Sequence, residues 1–138
     1  MRRSFLAATV LLLLAAPGLA DEAAAVKQAQ AAATDWLALT DAAEYGPSWD
    51  EASSLFKAAI TKADWEKALK GARGPLGALK ARKLKAATFT RTAPGAPDGE
   101  YVVIQFDTQF ENKAAAVETV TPMREKDGSW RVSGYFIK

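Results

Sequence analysis

Near residue 80 the apolar pattern changes its period, and that change fixes the fold class. Upstream, Trp65, Leu69, Ala72, Leu76 and Leu79 recur every three or four positions, the spacing of one helix face. From Arg82 onward the period is two. The stretches 100–110, 116–124 and 130–137 are rich in β-branched and aromatic residues and are bounded by turn residues. Helical stripes need a surface to cover, and the strands supply one. The expectation is an α+β domain, with three N-terminal helices packed on a four-stranded antiparallel meander sheet.

The first helix is expected over about Glu22 to Glu44. It is rich in Ala, with a stripe through Val26, Ala29, Ala33 and Trp36 or Leu37, and with Gly46–Pro47 ending it. The second begins at Ser48, where Ser48 and Glu51 have capping-box spacing. The third starts at the Thr61–Asp64 cap signal and kinks at Gly74–Pro75. The strands are expected over 82–92, 100–110, up to about 125, and 129–137. A turn-rich loop spans 93–99, and Asp127–Gly128 gives a two-residue hairpin signal.

The first twenty residues stand apart. Arg2 and Arg3 precede an apolar run, Phe5 to Ala16, and Gly18–Leu19–Ala20 offers small residues at the cleavage positions. The run is short for a membrane span, which needs about 20 residues. This grammar predicts a signal peptide over 1–20, a single domain over 21–138, and a periplasmic or secreted product without a stable membrane anchor.

Of the 18 basic residues, Arg2 and Arg3 lie in the leader, so the remainder equals the 16 acidic ones. A neutral domain has no global field for nucleic acid or an anionic membrane. The chain has no cysteine and no histidine. It therefore has no disulfide, no lipid-modified cysteine, no thiol nucleophile, and neither the commonest general base nor the commonest transition-metal ligand. No catalytic residue, metal site or cofactor is expected.

Tight turns allow registers to be predicted. Pairing Lys126 with Ser129 sets Met123 opposite Val132, Thr121 opposite Gly134 and Thr119 opposite Phe136. Pairing Glu111 with Ala114 sets Asp107 opposite Glu118 and Tyr101 opposite Arg124. Pairing Thr92 with Glu100 completes an apolar face, with Val102, Ile104 and Phe106, turned to the helices. Trp130 falls on that side and is expected in the core. The opposite face then carries Phe89, Val103, Val120, Pro122 and Tyr135 in its middle, and gathers Arg91, Arg124 and Arg131 around Tyr101. Three readings of it stand: a solvated mixed surface, a homodimer interface through the apolar middle, or a site where arginine forks take a carboxylate or phosphate. The candidate binding set is Arg91, Tyr101, Arg124, Arg131 and Tyr135.

Several segments together resemble the bacterial family called domain of unknown function 4019: Ser48–Trp49 with Phe56, Trp65, Arg73–Gly77, Pro94–Tyr101, Val117–Val120 and Trp130–Tyr135. The likeness covers about Ala31 to Lys138. Three helices before a curved meander also look like the cystatin-like or NTF2-like class. The family resemblance implies an exported bacterial protein and supplies no catalytic residues. The expected function is a non-enzymatic module that binds a small ligand or a protein. The alternative is a small NTF2-like isomerase or dehydratase. It would need a carboxylate base and a phenol donor, for which Asp107 or Glu118 with Tyr101 or Tyr135 are the local candidates. The same registers place both acids beside Lys85 on the outer face, which favours a salt-linked surface pair. The discriminating observation is whether a cup between the first helix, the third helix and the sheet contains an ionisable group: a sealed cup lined only by apolar residues would count heavily against the enzyme.

Overall fold

The computed structural model describes residues 17–138. Arg2, Arg3 and the run Phe5 to Ala16 lie outside the described residues. Helices α1 (Pro17–Asp41), α2 (Tyr45–Asp50), α3 (Ser54–Ala59) and α4 (Lys62–Arg73) precede strands β1 (Leu79–Thr90), β2 (Tyr101–Phe110), β3 (Lys113–Arg124) and β4 (Trp130–Ile137). The strands form one antiparallel sheet in the order β1-β2-β3-β4. No described helix is long and apolar enough to cross a membrane.

α1 lies across all four strands. Its buried face is Ala25, Ala29, Ala33, Trp36, Leu37 and Thr40, and the small residues let the helix approach the sheet closely. The left-handed residue after α1 is Ala43, with φ 58°, rather than Gly46, which falls inside α2.

The expected second helix is two short ones. Ser53 interrupts it: its side chain caps α3 by accepting from Phe56 N–H, and its own N–H donates to the Val132 carbonyl of β4 at 2.9 Å. Docking onto the strand overrides the local helical pattern. Ser48 is no cap. It sits fully buried in α2 and joins two tryptophans, its carbonyl accepting from Trp36 Nε1 at 2.8 Å and its hydroxyl from Trp65 Nε1 at 2.9 Å.

α4 starts at the expected cap, with Thr61 accepting from Asp64 N–H. It ends at Arg73, and a 3-10 turn over Gly74–Leu76 replaces the expected kink. Gly77, with φ 75°, then turns the chain into β1. A Cβ there would come within 2.9 Å of Glu111 Cβ.

The β2–β3 register differs by one residue from the sequence expectation. Phe106 faces Glu118, Asp107 faces Val117 and Tyr101 faces Met123. The hairpin loop is Glu111–Asn112, held from outside the hairpin. Glu111 N–H donates to the Ala78 carbonyl at 2.8 Å, Asn112 N–H to the Leu76 carbonyl at 2.9 Å, and Asn112 Nδ2 to the Pro75 carbonyl at 3.1 Å. One step of register turns the strand over, so Glu118, Val120 and Pro122 of β3 point inward.

In β3–β4 two offsets cancel. The turn is a three-residue loop over 126–128, with Glu125 N–H donating to the Ser129 carbonyl and Gly128 at φ 87°. Met123 therefore faces Arg131, not Val132. An irregularity between Thr121 and Pro122 restores the expected pairs Thr121–Gly134 and Thr119–Phe136. On β1, Thr90 faces Tyr101 and Ala87 faces Ile104, so Ala87 and Phe89 turn inward. The core forms between the helices and Val102, Ile104, Phe106, Val120 and Val132, with Trp36, Phe56 and Trp65 in aromatic contact above them.

Candidate functional site

The inward turn of β3 places a carboxylate in the cup between helices and sheet. The Glu118 side chain is 0% exposed. Around it converge groups from five other elements: Thr40 and Asp41 from α1, Arg73 from the end of α4, Arg82 from β1, Thr108 from β2 and Tyr135 from β4.

Glu118 accepts four hydrogen bonds. Arg82 gives it two, Nε to Oε1 at 2.7 Å and Nη2 to Oε2 at 3.2 Å. Thr108 Oγ1 donates to Oε1 at 2.5 Å, and the Tyr135 hydroxyl donates to Oε2. A carboxylate has about four lone-pair sites, so this one is saturated. The other fork of Arg82 grips Asp41, Nη1 to Oδ2 at 2.8 Å and Nη2 to Oδ1 at 2.9 Å. Arg73 Nη2 donates to the same Oδ1 at 2.9 Å, and Nη1 to Thr40 Oγ1 at 3.0 Å. Its guanidinium carbon lies 4.8 Å from the Phe110 ring centroid. Two acids and two arginines balance in charge.

The electrostatics hold Asp41 and Arg82 charged and Tyr135 protonated. Burial pushes the Asp41 carboxyl up, but the hydrogen bonds and charges of Arg82 and Arg73 outweigh it, and the group is held below the ordinary carboxylate value. Its contribution to stability is therefore full above the unfolded value of about 3.9 and is lost as pH falls through the lowered folded value. Burial raises the Tyr135 phenol, and the Glu118 charge and hydrogen bond raise it further, so Tyr135 keeps its proton and remains a donor. Burial works against the Arg82 charge, but its bonds to Asp41 and Glu118 more than offset that, and the guanidinium is held protonated.

Chemically, the arrangement can lock the ends of α1 and α4 to the sheet. Glu118 and Tyr135 are an acid–phenol pair of the kind a proton-transfer enzyme would use, but Glu118 offers a substrate no free lone pair and no surface. Asp107 stands on the outer face opposite Lys83 and Val117. Among the described residues no group of three or more acids gathers to hold a metal ion.

The sequence-predicted binding set does not assemble on one face. Tyr101 is buried, its hydroxyl donating to the Pro97 carbonyl at 2.6 Å beneath the 93–99 loop. Glu100 sits between Arg124, at 3.2 Å, and Arg91, at 4.0 Å. Arg131 reaches Glu51 at 3.5 Å instead. Tyr135 lies on the inner face, 5.2 Å edge-on from Trp36. Phe89, Val120 and Pro122, expected in an outer apolar patch, are inside with it, and Val103 stays outside. The register step explains all of these changes on β3. Lys85, expected beside both acids, falls in the irregularity of β1 between Leu84 and Ala86.

Two grooves flank β4, the edge strand. One is a cleft of about 480 Å³ between α1, Glu51 and the start of β4, with Trp36, Leu39, Trp130 and Val132 as apolar wall and Asp35 and Arg131 among its polar groups. Trp130 packs on the core from the inner side, as expected, but is only half-buried, with Nε1 donating to Gln28. Sequence reasoning missed Asp35 and Glu51 here, and Asp41, Arg73 and Arg82 in the network. The second groove, of about 360 Å³, runs between α4 and the far end of β4.

No curated protein and no solved structure matches the chain. A family model described as "Protein of unknown function (DUF4019)" matches residues 32–135, most of the domain that carries the network and both grooves, and the chain belongs to that family.

Proposed function

We propose that the protein is an exported bacterial binding module, of the cystatin-like or NTF2-like class, that holds a small organic acid in the cleft between α1 and the start of β4. The observation that carries this reading is Arg131 in the lining of a cleft whose apolar wall is Trp36, Leu39, Trp130 and Val132. The Arg131 side chain is 36% exposed, and its partner Glu51 is 66% exposed and 3.5 Å away. Such a pair is worth about 0–1 kcal/mol. Arg131 Nη1 also donates to the Glu51 carbonyl at 3.3 Å; a ligand carboxylate would replace only the Glu51 side chain on the guanidinium, while an apolar body rests against Trp130 and Leu39. The saturation of Glu118 supports a non-enzymatic reading. Export is supported by the leader pattern. The expected cleavage after Ala20 falls inside α1, which begins at Pro17, and would shorten that helix by about one turn.

The test is thermal unfolding of the exported protein against a panel of aromatic and aliphatic monocarboxylates, with the matching primary alcohols as controls. A ligand that binds only the folded state raises the melting temperature. Acids should raise it where the alcohols do not, and Arg131→Gln should abolish the shift. A panel without effect, or a shift that survives Arg131→Gln, would count against the cleft.

A further inference from the structure

The second groove carries a different kind of recognition. It lies between α4, through Trp65, Ala68, Leu69 and Ala72, and the inner side of β4, through Tyr135 and Ile137. β4 is an edge strand, and only its first half is covered, where Ser53 N–H donates to the Val132 carbonyl. Lys138 exchanges both backbone hydrogen bonds with Val117, each at 2.9 Å. Antiparallel pairing alternates, so Tyr135 and Ile137 turn their N–H and carbonyl groups away from β3 to the open edge. Among the described residues nothing pairs with them. Ala68 and Ala72 of α4 are exposed beside this edge, and Phe136 is 52% exposed on its other side. The charged residues of the groove are Lys113 and Lys138, both at the Ile137 end, and no acid lines it.

We propose that this groove receives an extended segment of another protein, which adds as a fifth strand to β4. Its alternate apolar side chains turn under α4, and an acidic side chain lies at the Lys113–Lys138 end. A row of unpaired strand groups beside an apolar trough is what strand addition uses: main-chain hydrogen bonds provide affinity and the trough selects alternate side chains. The two lysines set the direction of the segment, because an acid at the opposite end would have no partner. The proposal rests on the binding-module reading but uses a surface separate from the Arg131 cleft, so either can fail without the other.

The probe is a library of acetylated hexapeptides with apolar residues at alternate positions and Asp at one end, followed by amide chemical shifts in the labelled protein. Binding peptides should shift the Tyr135 and Ile137 amides and leave Arg131 unmoved. N-methylating the two peptide amides that face β4 should weaken binding about tenfold, the effect of losing two backbone hydrogen bonds. Ile137→Pro removes one outward N–H at a free edge, where proline is tolerated, and should weaken binding about threefold, the effect of losing one backbone hydrogen bond. Ala72→Gln fills the groove from an exposed helix position and should abolish binding while the melting temperature stays unchanged. Replacing the terminal Asp by Lys should weaken binding. Peptides that leave Tyr135 and Ile137 unshifted, or that bind equally after N-methylation, would overturn the proposal. So would a concentration-dependent dimer whose contact is this edge, since a second copy would then be the occupant.

Discussion

Glu118→Ala should remove about 3–5 kcal/mol of folding stability, the usual cost of deleting one partner from a buried ion pair. The Arg82 guanidinium would keep Asp41 but lose two of its bonds, and the hydroxyls of Thr108 and Tyr135 would lose their acceptor inside the cup. Unsatisfied buried donors cost more than the net worth of the bonds they made. A domain of this kind has about 5–15 kcal/mol in total, so the loss would be a large share of it. Urea unfolding at neutral pH measures it directly. A change under about 1 kcal/mol, within reach of an exposed pair, would mean that water reaches the carboxylate.

Val120→Lys should have a still larger effect. Val120 is 0% exposed and lies between Ile104 and Tyr135 on the inner face. An ammonium there would be buried without a partner, and the cost would pass about 4–5 kcal/mol, the range of exceptional substitutions. The purified variant should show no cooperative unfolding transition at room temperature. Thr121→Lys, one position along and on the outer face, should stay within about 0.5 kcal/mol of the parent. The reverse pattern would restore the register in which Val120 faces outward.

The sequence carried the strands, the meander order and the Thr61 cap, because each follows from local period or turn chemistry. The β2–β3 register was not legible. The position of that turn depends on Glu111 and Asn112 bonding to the segment after α4, more than thirty residues earlier. The break between α2 and α3 was hidden for a similar reason, since Ser53 answers to Val132 on β4. The network left a fainter trace. Arg73 stands four and eight residues after Leu69 and Trp65, so it continues the buried face of α4 in place of the exposed Ala72. Asp41 likewise follows Leu37 by one helical turn. A charge on an apolar stripe signals a buried partner, but it does not say which strand supplies it.

The claim on which the rest depends is that the cup is closed around Glu118, leaving binding to the margins of β4. The ring carbon bearing the Tyr135 hydroxyl, followed by NMR from pH 7 to 11, tests it directly. An ordinary tyrosine titrates near pH 10, whereas burial and the neighbouring Glu118 carboxylate raise this phenol. A flat Tyr135 signal is expected for as long as the protein stays folded. A titration midpoint near pH 10 in the folded protein would show an open cup and contradict that claim.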